Sequence, residues 1–383
     1  MPSRLFELTD LQTLVRDSAR GYAQKTLAPV AARLDREAKF PVAQCADLAA
    51  LGLMAVNIPE EYGGAQAGAV AYALAMMEIA QGCASTAVTM AVNNLVAETI
   101  CRFGSEAQKR RYVPEIASGR FVTASFGLSE PHAGSDAGAL RTTARRDGGG
   151  YVINGSKQWI TSGDRAGVII VWARTGEAGA KGISSFLVDG GAKGVHVGRH
   201  EDKMGLRASS TVSLAFEDVR VPASAMLGVE GRGFPIALAA LDSGRIGIAA
   251  QATGIGTAAL DCAVRYAKER HAFGQPIANY QAIRFALADV ATELEAARLL
   301  TLRAAALKEA GKPFIREASM AKVFASEKAN KAADVAVQVH GGYGYVGEFP
   351  AERHYRDARA TTIYEGSSEI QRMVVARHAL AED

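Results

Sequence analysis

A chain of 383 residues, at about 150 per domain, predicts two to three domains, and 49% hydrophobic residues suffices for at least one large core. The 43 Lys and Arg against 40 Asp and Glu leave a formal charge of +3, too weak a field to argue for nucleic acid or an anionic membrane. Any anionic ligand must be held locally. No run approaches the roughly 18 to 20 uninterrupted apolar residues of a membrane span. Met1 to Asp10 carries neither a signal-peptide core nor a transit pattern, so a bacterial-type cytoplasm is expected, ahead of the mitochondrial matrix. Cys45, Cys83, Cys101 and Cys262 are scattered without Cys-x-x-Cys spacing, which indicates neither a disulfide framework nor zinc.

From Leu8 to about Ser118 apolar residues recur at helical spacing, and breaks such as Ile58-Pro-Glu-Glu-Tyr-Gly-Gly64 predict four to six short helices. After Gly119 the texture changes. β-Branched and aromatic residues fill Tyr151 to Asn154, Val168 to Trp172, Ser184 to Val188 and Thr211 to Phe216, strands at meander spacing. Because no long helices separate them, an antiparallel barrel or sandwich is expected. From Pro235 the pattern reverts to helix. Ile236 to Arg270 predicts one helix of about 35 residues, roughly 50 Å long. Ile283, Leu287, Val290, Leu294 and Ala297 then step by four and three, a narrow seam that packs long helices side by side. The expected boundaries are 1–118, 119–227 and 228–383, an α+β multidomain chain ending in a helical bundle.

His196 and His200 lack the surroundings of a metal site, so no metal is expected. Gly341 to Gly344 follows a helix and not a strand, which argues against a nicotinamide fingerprint. Three polar segments remain. Phe126-Gly-Leu-Ser-Glu-Pro-His-Ala-Gly-Ser-Asp136 suits backbone amides that approach an anion or a polar ring edge, although an ordinary Gly-rich turn reads the same way. Trp159-Ile-Thr161 offers an aromatic face and, two residues on, a hydroxyl on the same side; a buried core Trp is the alternative. In Ile363-Tyr-Glu-Gly-Ser-Ser-Glu-Ile-Gln-Arg372, Ser368 and Gln371 form a capping-box pattern, so a helix should begin there. Glu365 stands just before that helix start, between a Tyr and a Gly. It is a base candidate there, and otherwise a solvated carboxylate.

These segments, with Arg270-His-Ala-Phe-Gly-Gln-Pro276, Gln338-Val-His-Gly-Gly342 and Ala351-Glu-Arg-His-Tyr-Arg-Asp357, resemble the acyl-CoA dehydrogenase family in order and spacing over nearly the whole chain. The likeness is greatest to its short-chain, butyryl-type members, through Leu241 to Ile248 and Pro350 to Ala358. The resemblance implies an N-terminal helical domain, a middle β-barrel and a C-terminal four-helix bundle. It also implies FAD as cofactor and α,β-dehydrogenation of a short-chain acyl-CoA to the trans-2-enoyl-CoA, with Glu365 taking the α-proton and flavin N5 the hydride. By resemblance Phe126, Leu128, Ser129, Ser135, Trp159, Ile160 and Thr161 meet the flavin side. Arg270, Phe273, Gln281, Gln338, Gly341 and Gly342 meet the adenosine diphosphate half of FAD on a neighbouring subunit, and Ser367 and Glu369 touch FAD from the cap. Ser135, Asp242, Arg245 and Gly366 belong to the acyl-CoA site.

A homotetramer built as a dimer of dimers is implied, as is electron-transfer flavoprotein as acceptor. Some branched-chain relatives carry the base on the long helix, where this sequence has Gly244, so Glu365 is the base candidate. His132 departs from the Gly of many relatives. Glycines 244, 247, 254 and 256 are expected to admit a ligand or a neighbouring helix. An acyl-CoA oxidase, a 2-methyl-branched dehydrogenase and a non-catalytic scaffold on the same fold are the competing readings.

Overall fold

The computed structural model describes residues 7–177 and 179–381. Six α-helices come first. α1 (Asp10–Tyr22) starts from a reciprocal Thr9–Gln12 capping box and passes through a π-helical turn, Ala23–Leu27, into α2 (Ala28–Arg36). Pro29 has no N–H to donate into the preceding turn, which accounts for the widening there. α3 (Val42–Ala50), α4 (Gly68–Gly82), α5 (Ala84–Phe103) and α6 (Glu106–Ala117) follow. α4 has no polar stripe and is buried on nearly all sides, the signature of a central helix.

The middle region is one eight-stranded sheet formed by β1 (Thr123–Gly127), β2 (Thr143–Asp147), β3 (Gly150–Thr161), β4 (Ala166–Arg174), β5 (Ile183–Asp189), β6 (Val195–His200), β7 (Thr211–Pro222) and β8 (Met226–Leu227). Its order is β6-β7-β3-β2-β4-β5-β8, with β1 added beside β4. Two expectations change here. The sheet is open, running from β6 to β8, and no closed barrel forms among the described residues. It is also mixed: β1 runs parallel to β4 along residues 166–171, and β2 takes over the same edge at Arg174. The loop of residues 128–142 is too long for a hairpin and carries the chain across, so β1 does not pair with its successor.

The C-terminal region opens with α7 (Gly233–Glu269), matching the single long helix expected. A two-residue ribbon, β9 (His271–Ala272) with β10 (Gln275–Pro276), leads to α8 (Gln281–Glu309), α9 (Ile315–His340), α10 (Ala351–Ala360) and α11 (Ser368–Leu380). The bundle is thus three long helices closed by two short ones. The seam foreseen on α8 is real: Val290, Leu294 and Ala297 are buried. At Gly254 an added Cβ would lie 2.3 Å from the Met77 carbonyl oxygen of α4, so only glycine lets α4 and α7 pack this closely. The indole N–H of Trp172 donates to Gly233 O at 2.8 Å and fixes the sheet to the start of α7. Arg356 of α10 joins three regions, binding Asp35 of α2 at 2.7 Å and the Met204 carbonyl at 3.1 Å. Among the described residues no helix is long and apolar enough to cross a membrane.

Candidate active site

The turn between α10 and α11 holds Glu365 at φ +54° and Gly366 at φ +83°. A left-handed residue other than glycine costs roughly 1–2 kcal/mol and persists only when its surroundings over-determine it. Here they do. Gln371 Nε2 donates to the carbonyl oxygens of Glu365 at 3.0 Å and Gly366 at 2.9 Å, while Lys322 Nζ of α9 donates to Gly366 O at 2.6 Å. A helix does begin where expected, but the capping box does not form. Ser367, not Ser368, is the N-cap, it makes no side-chain cap bond, and Gln371 is occupied with the two carbonyls of the turn.

The Glu365 carboxylate faces α7. A Cβ at Gly244 would lie 2.8 Å from its Oε2. Eight buried side-chain polar atoms lack a partner among the described residues, and four cluster here: Glu365 Oε2, Arg245 Nε, Ser368 Oγ and Gln371 Oε1. Buried polar groups are normally satisfied, so this concentration marks a place built to receive a polar ligand. Burial pushes the Glu365 carboxyl up to about 7, against the opposing pull of Arg245 and Lys322. Arg245 is turned inward, bonded to Asp242 at 2.7 Å and to Ser319 Oγ at 3.2 Å. Asp242 is half-buried and Gly366 lies in the turn itself. The Tyr364 hydroxyl bonds Gln251, whose Nε2 donates to Ala84 O at 2.9 Å.

A second group forms where β1 and β3 end. Gln158 N donates to Ser129 O at 2.9 Å and Ser125 Oγ to Thr161 O at 2.8 Å, which brings Phe126 to Ser129 beside Trp159 to Thr161. Trp159 is 61% exposed, with φ +62°, in a bulge between Lys157 and Ile160. It is therefore not a core Trp; Trp172 is. The extra residue breaks the two-residue alternation from which a shared side for Trp159 and Thr161 was expected. Ile160 packs into the sheet core, leaving only its main chain available at this surface. Leu128 is buried too, and the Phe126 ring lies 4.2 Å from that of Trp172. Ser135 and His132 are exposed.

Beneath these residues lies a device that the sequence reading missed. The ammonium of Lys157, fully buried, donates to Leu128 O at 3.0 Å and Glu130 Oε1 at 2.8 Å. Glu130 also accepts from the backbone N–H groups of Arg141 and Thr142, and His132 Nε2 stands 3.6 Å from it. Lys322 was missed as well, although a lysine among Ala318, Ala325 and Ala329 on the core-facing side of a helix is a readable signal.

The third group is separate: no hydrogen bond or ion pair among the described residues joins it to Glu365. Arg270, Gly341 and Gly342 line a groove of about 600 Å³ with Tyr266, His340 and Tyr343. Phe273, at φ +49° on the tip of the β9–β10 ribbon, is 96% exposed. Gln281 and Gln338 are exposed on α8 and α9, whereas Ser367 and Glu369 stand apart from this group, at the start of α11 beside the Glu365 turn, half-buried and exposed. An aromatic residue held out on a left-handed turn is a poor free surface and a good contact.

Three family models span the chain: acyl-CoA dehydrogenase N-terminal domain over residues 9–120, middle domain over 125–219 and C-terminal domain over 231–380. The chain is 54% identical over 376 residues to the mitochondrial short-chain specific acyl-CoA dehydrogenase of Bos taurus, covering 98% of this chain and 91% of that one. Butyryl-CoA dehydrogenase from Megasphaera elsdenii superposes with a TM-score of 0.96 at 42% identity, covering 98% and 100% of the two chains. A chain from the structure of the electron transferring flavoprotein of Acidaminococcus fermentans gives 0.97 at 44% identity, with the same coverage.

Proposed function

The chain belongs to the acyl-CoA dehydrogenase family, and from that premise we propose that it converts a short-chain fatty acyl-CoA to the trans-2-enoyl-CoA with Glu365 as the base. It is an FAD-dependent oxidoreductase. The observation that carries the role of Glu365 is its geometry: a buried carboxylate oxygen without a partner, held by a left-handed turn in the space left by Gly244.

The residues fit the cofactor. The exposed Trp159 and Phe273 offer flat faces, and the unpartnered polar atoms around Glu365 await a polar ligand. In this reading Phe126, Leu128, Ser129, Ser135, Trp159, the main chain of Ile160 and Thr161 hold the flavin side, with Ser367 and Glu369 at the cap. Arg270, Phe273, Gln281, Gln338, Gly341 and Gly342 hold the adenosine diphosphate half bound to a neighbouring copy, which requires at least a dimer and agrees with the homotetramer that the family likeness implies. A guanidinium suits the pyrophosphate because it pairs two oxygens at once. When bound, FAD supplies the acceptor for the hydride that leaves the β-carbon.

The remaining work falls to side chains. An α-proton beside a thioester is a feeble acid, so its removal needs a desolvated carboxylate with a pKa near working pH, which burial gives Glu365. Charge developing at the thioester oxygen needs donors fixed in advance, and the Glu365 backbone N–H is presented by a turn clamped from both sides. Asp242, Arg245, Ser135 and Gly366 complete the acyl-CoA site, with Arg245 acting from inside. Electron-transfer flavoprotein is the proposed acceptor, supported by the likeness to the Acidaminococcus fermentans chain. Glu365→Gln should retain FAD and bind butyryl-CoA while its flavin bleaches several orders of magnitude more slowly; bleaching at the normal rate would refute the base.

A further inference from the structure

So far Lys322 has entered only as one clamp on the Glu365–Gly366 turn, yet it is one of the largest fully buried side chains. A lysine in the middle of an Ala-rich helix loses its hydration and four flexible bonds, so its retention calls for a compensating role. Among the described residues its ammonium makes one hydrogen bond, the 2.6 Å contact to Gly366 O, one residue past the proposed base. Resting on the reading of Glu365 as base, we propose that Lys322 is its positioning residue: from α9 the ammonium anchors the Glu365–Gly366 turn, fixes the carboxylate over Gly244, and sets its charge balance.

The geometry supports both parts. Gln371 holds the same turn from α11, through both carbonyls, but it is neutral. Without Lys322 the Gly366 carbonyl would keep one partner, and the turn that holds the left-handed Glu365 would lose one of the three side-chain hydrogen bonds that restrain it. The titratable groups that act on the carboxylate are Lys322 on α9, Arg245 on α7, Tyr72 on α4 and its neighbour Tyr364, a phenol that burial likewise keeps neutral. Arg245 already shares its charge with Asp242, and Tyr72 is held neutral by burial. Among the described residues Lys322 is therefore the cation near the base without a carboxylate of its own in hydrogen-bond reach. Glu369 and Glu327 act on it only at longer range, and burial brings its ammonium down to about 8, so it is charged at neutral pH.

The test is anaerobic reduction of the FAD-loaded enzyme by butyryl-CoA, followed from pH 5.5 to 9 in wild type, Lys322→Met, Lys322→Arg and Glu365→Gln. Lys322→Met should reduce roughly 10- to 100-fold more slowly at pH 7, the scale expected when a reacting group is misplaced by about 1 Å. Its half-maximal pH should move up by about one unit, because a cation that favoured the ionised carboxylate is gone. Lys322→Arg should keep the wild-type midpoint while losing part of the rate, a split that a merely structural lysine would not give. If Lys322→Met cannot be purified, Lys322→Gln, which keeps a donor and loses the charge, is read on the same axis. A neutral variant with the wild-type rate and midpoint overturns the role of Lys322 alone. Normal reduction of Glu365→Gln overturns the base, and the positioning role with it.

Discussion

The carboxylate of Glu365 occupies the space that a side chain at residue 244 would fill, with Oε2 2.8 Å from where a Cβ would sit. Carboxylate and long helix are complementary: one contributes a functional group, the other an absence.

Gly244→Ala therefore separates stability from activity. Alanine should gain about 0.5–1 kcal/mol of helix propensity. The carboxylate, at the end of a flexible chain, should swing away and slow flavin reduction roughly 10- to 100-fold. Thermal melting and anaerobic stopped flow measure the two effects; a variant as fast as wild type would show that the carboxylate position is not critical.

The pH dependence has a definite sign. The Glu365 carboxyl is raised from 4.5 to about 7, so the folded protein binds its proton more tightly than the unfolded chain does. Stability from this group is intact below about 4.5 and declines as pH rises through 7. Glu365→Gln should then be more stable than wild type at pH 8, by on the order of 1–2 kcal/mol, with the gap closing towards pH 4.5. Urea titrations at the two pH values compare them. The rate of flavin reduction should move oppositely, rising through about pH 7.

Lys157→Met leaves Glu130 buried without its countercharge, which costs about 3–5 kcal/mol. Because Lys157 also holds Leu128 O, the loss should reach the loop proposed to face the flavin and weaken FAD retention. Visible absorbance after gel filtration measures the flavin, and Glu130→Gln with Lys157→Met should recover part of the stability. Full flavin content in the single variant would separate the ion pair from cofactor binding.

Arg270→Ala tests the shared cofactor site. It should release FAD and loosen the oligomer together, read by flavin content and sedimentation. An oligomer holding its full complement of flavin would remove the shared-site assignment.

Much of this was legible from local pattern. The long α7, the seam on α8 and the strands around Tyr151, Val168, Ser184 and Thr211 follow from periodicity that no tertiary contact overrides. Glu365, between a Tyr and a Gly before a helix start, was legible locally only as a base candidate or a solvated carboxylate, and the family resemblance singled it out. The parallel placement of β1 beside β4 was hidden, since pairing depends on the path of a long loop and not on strand composition. The bulge at Trp159 was hidden too: a single extra residue alters which side the ring takes, and nothing in Lys157 to Ile160 announces it. Gln371 fits a capping box by spacing, but a stronger pair of acceptors lies at Glu365 and Gly366. Lys157 and Lys322 act on residues 27 and 44 positions away, a relationship visible only once the chain is folded.

The most direct test of the central claim is an anaerobic titration of the FAD-bound protein with acetyl-, butyryl-, 2-methylbutyryl-, octanoyl- and palmitoyl-CoA in separate samples, followed in the visible flavin bands. Rapid bleaching by butyryl-CoA, with little response to octanoyl- or palmitoyl-CoA, is the predicted result. A yellow protein that no acyl-CoA bleaches would contradict it.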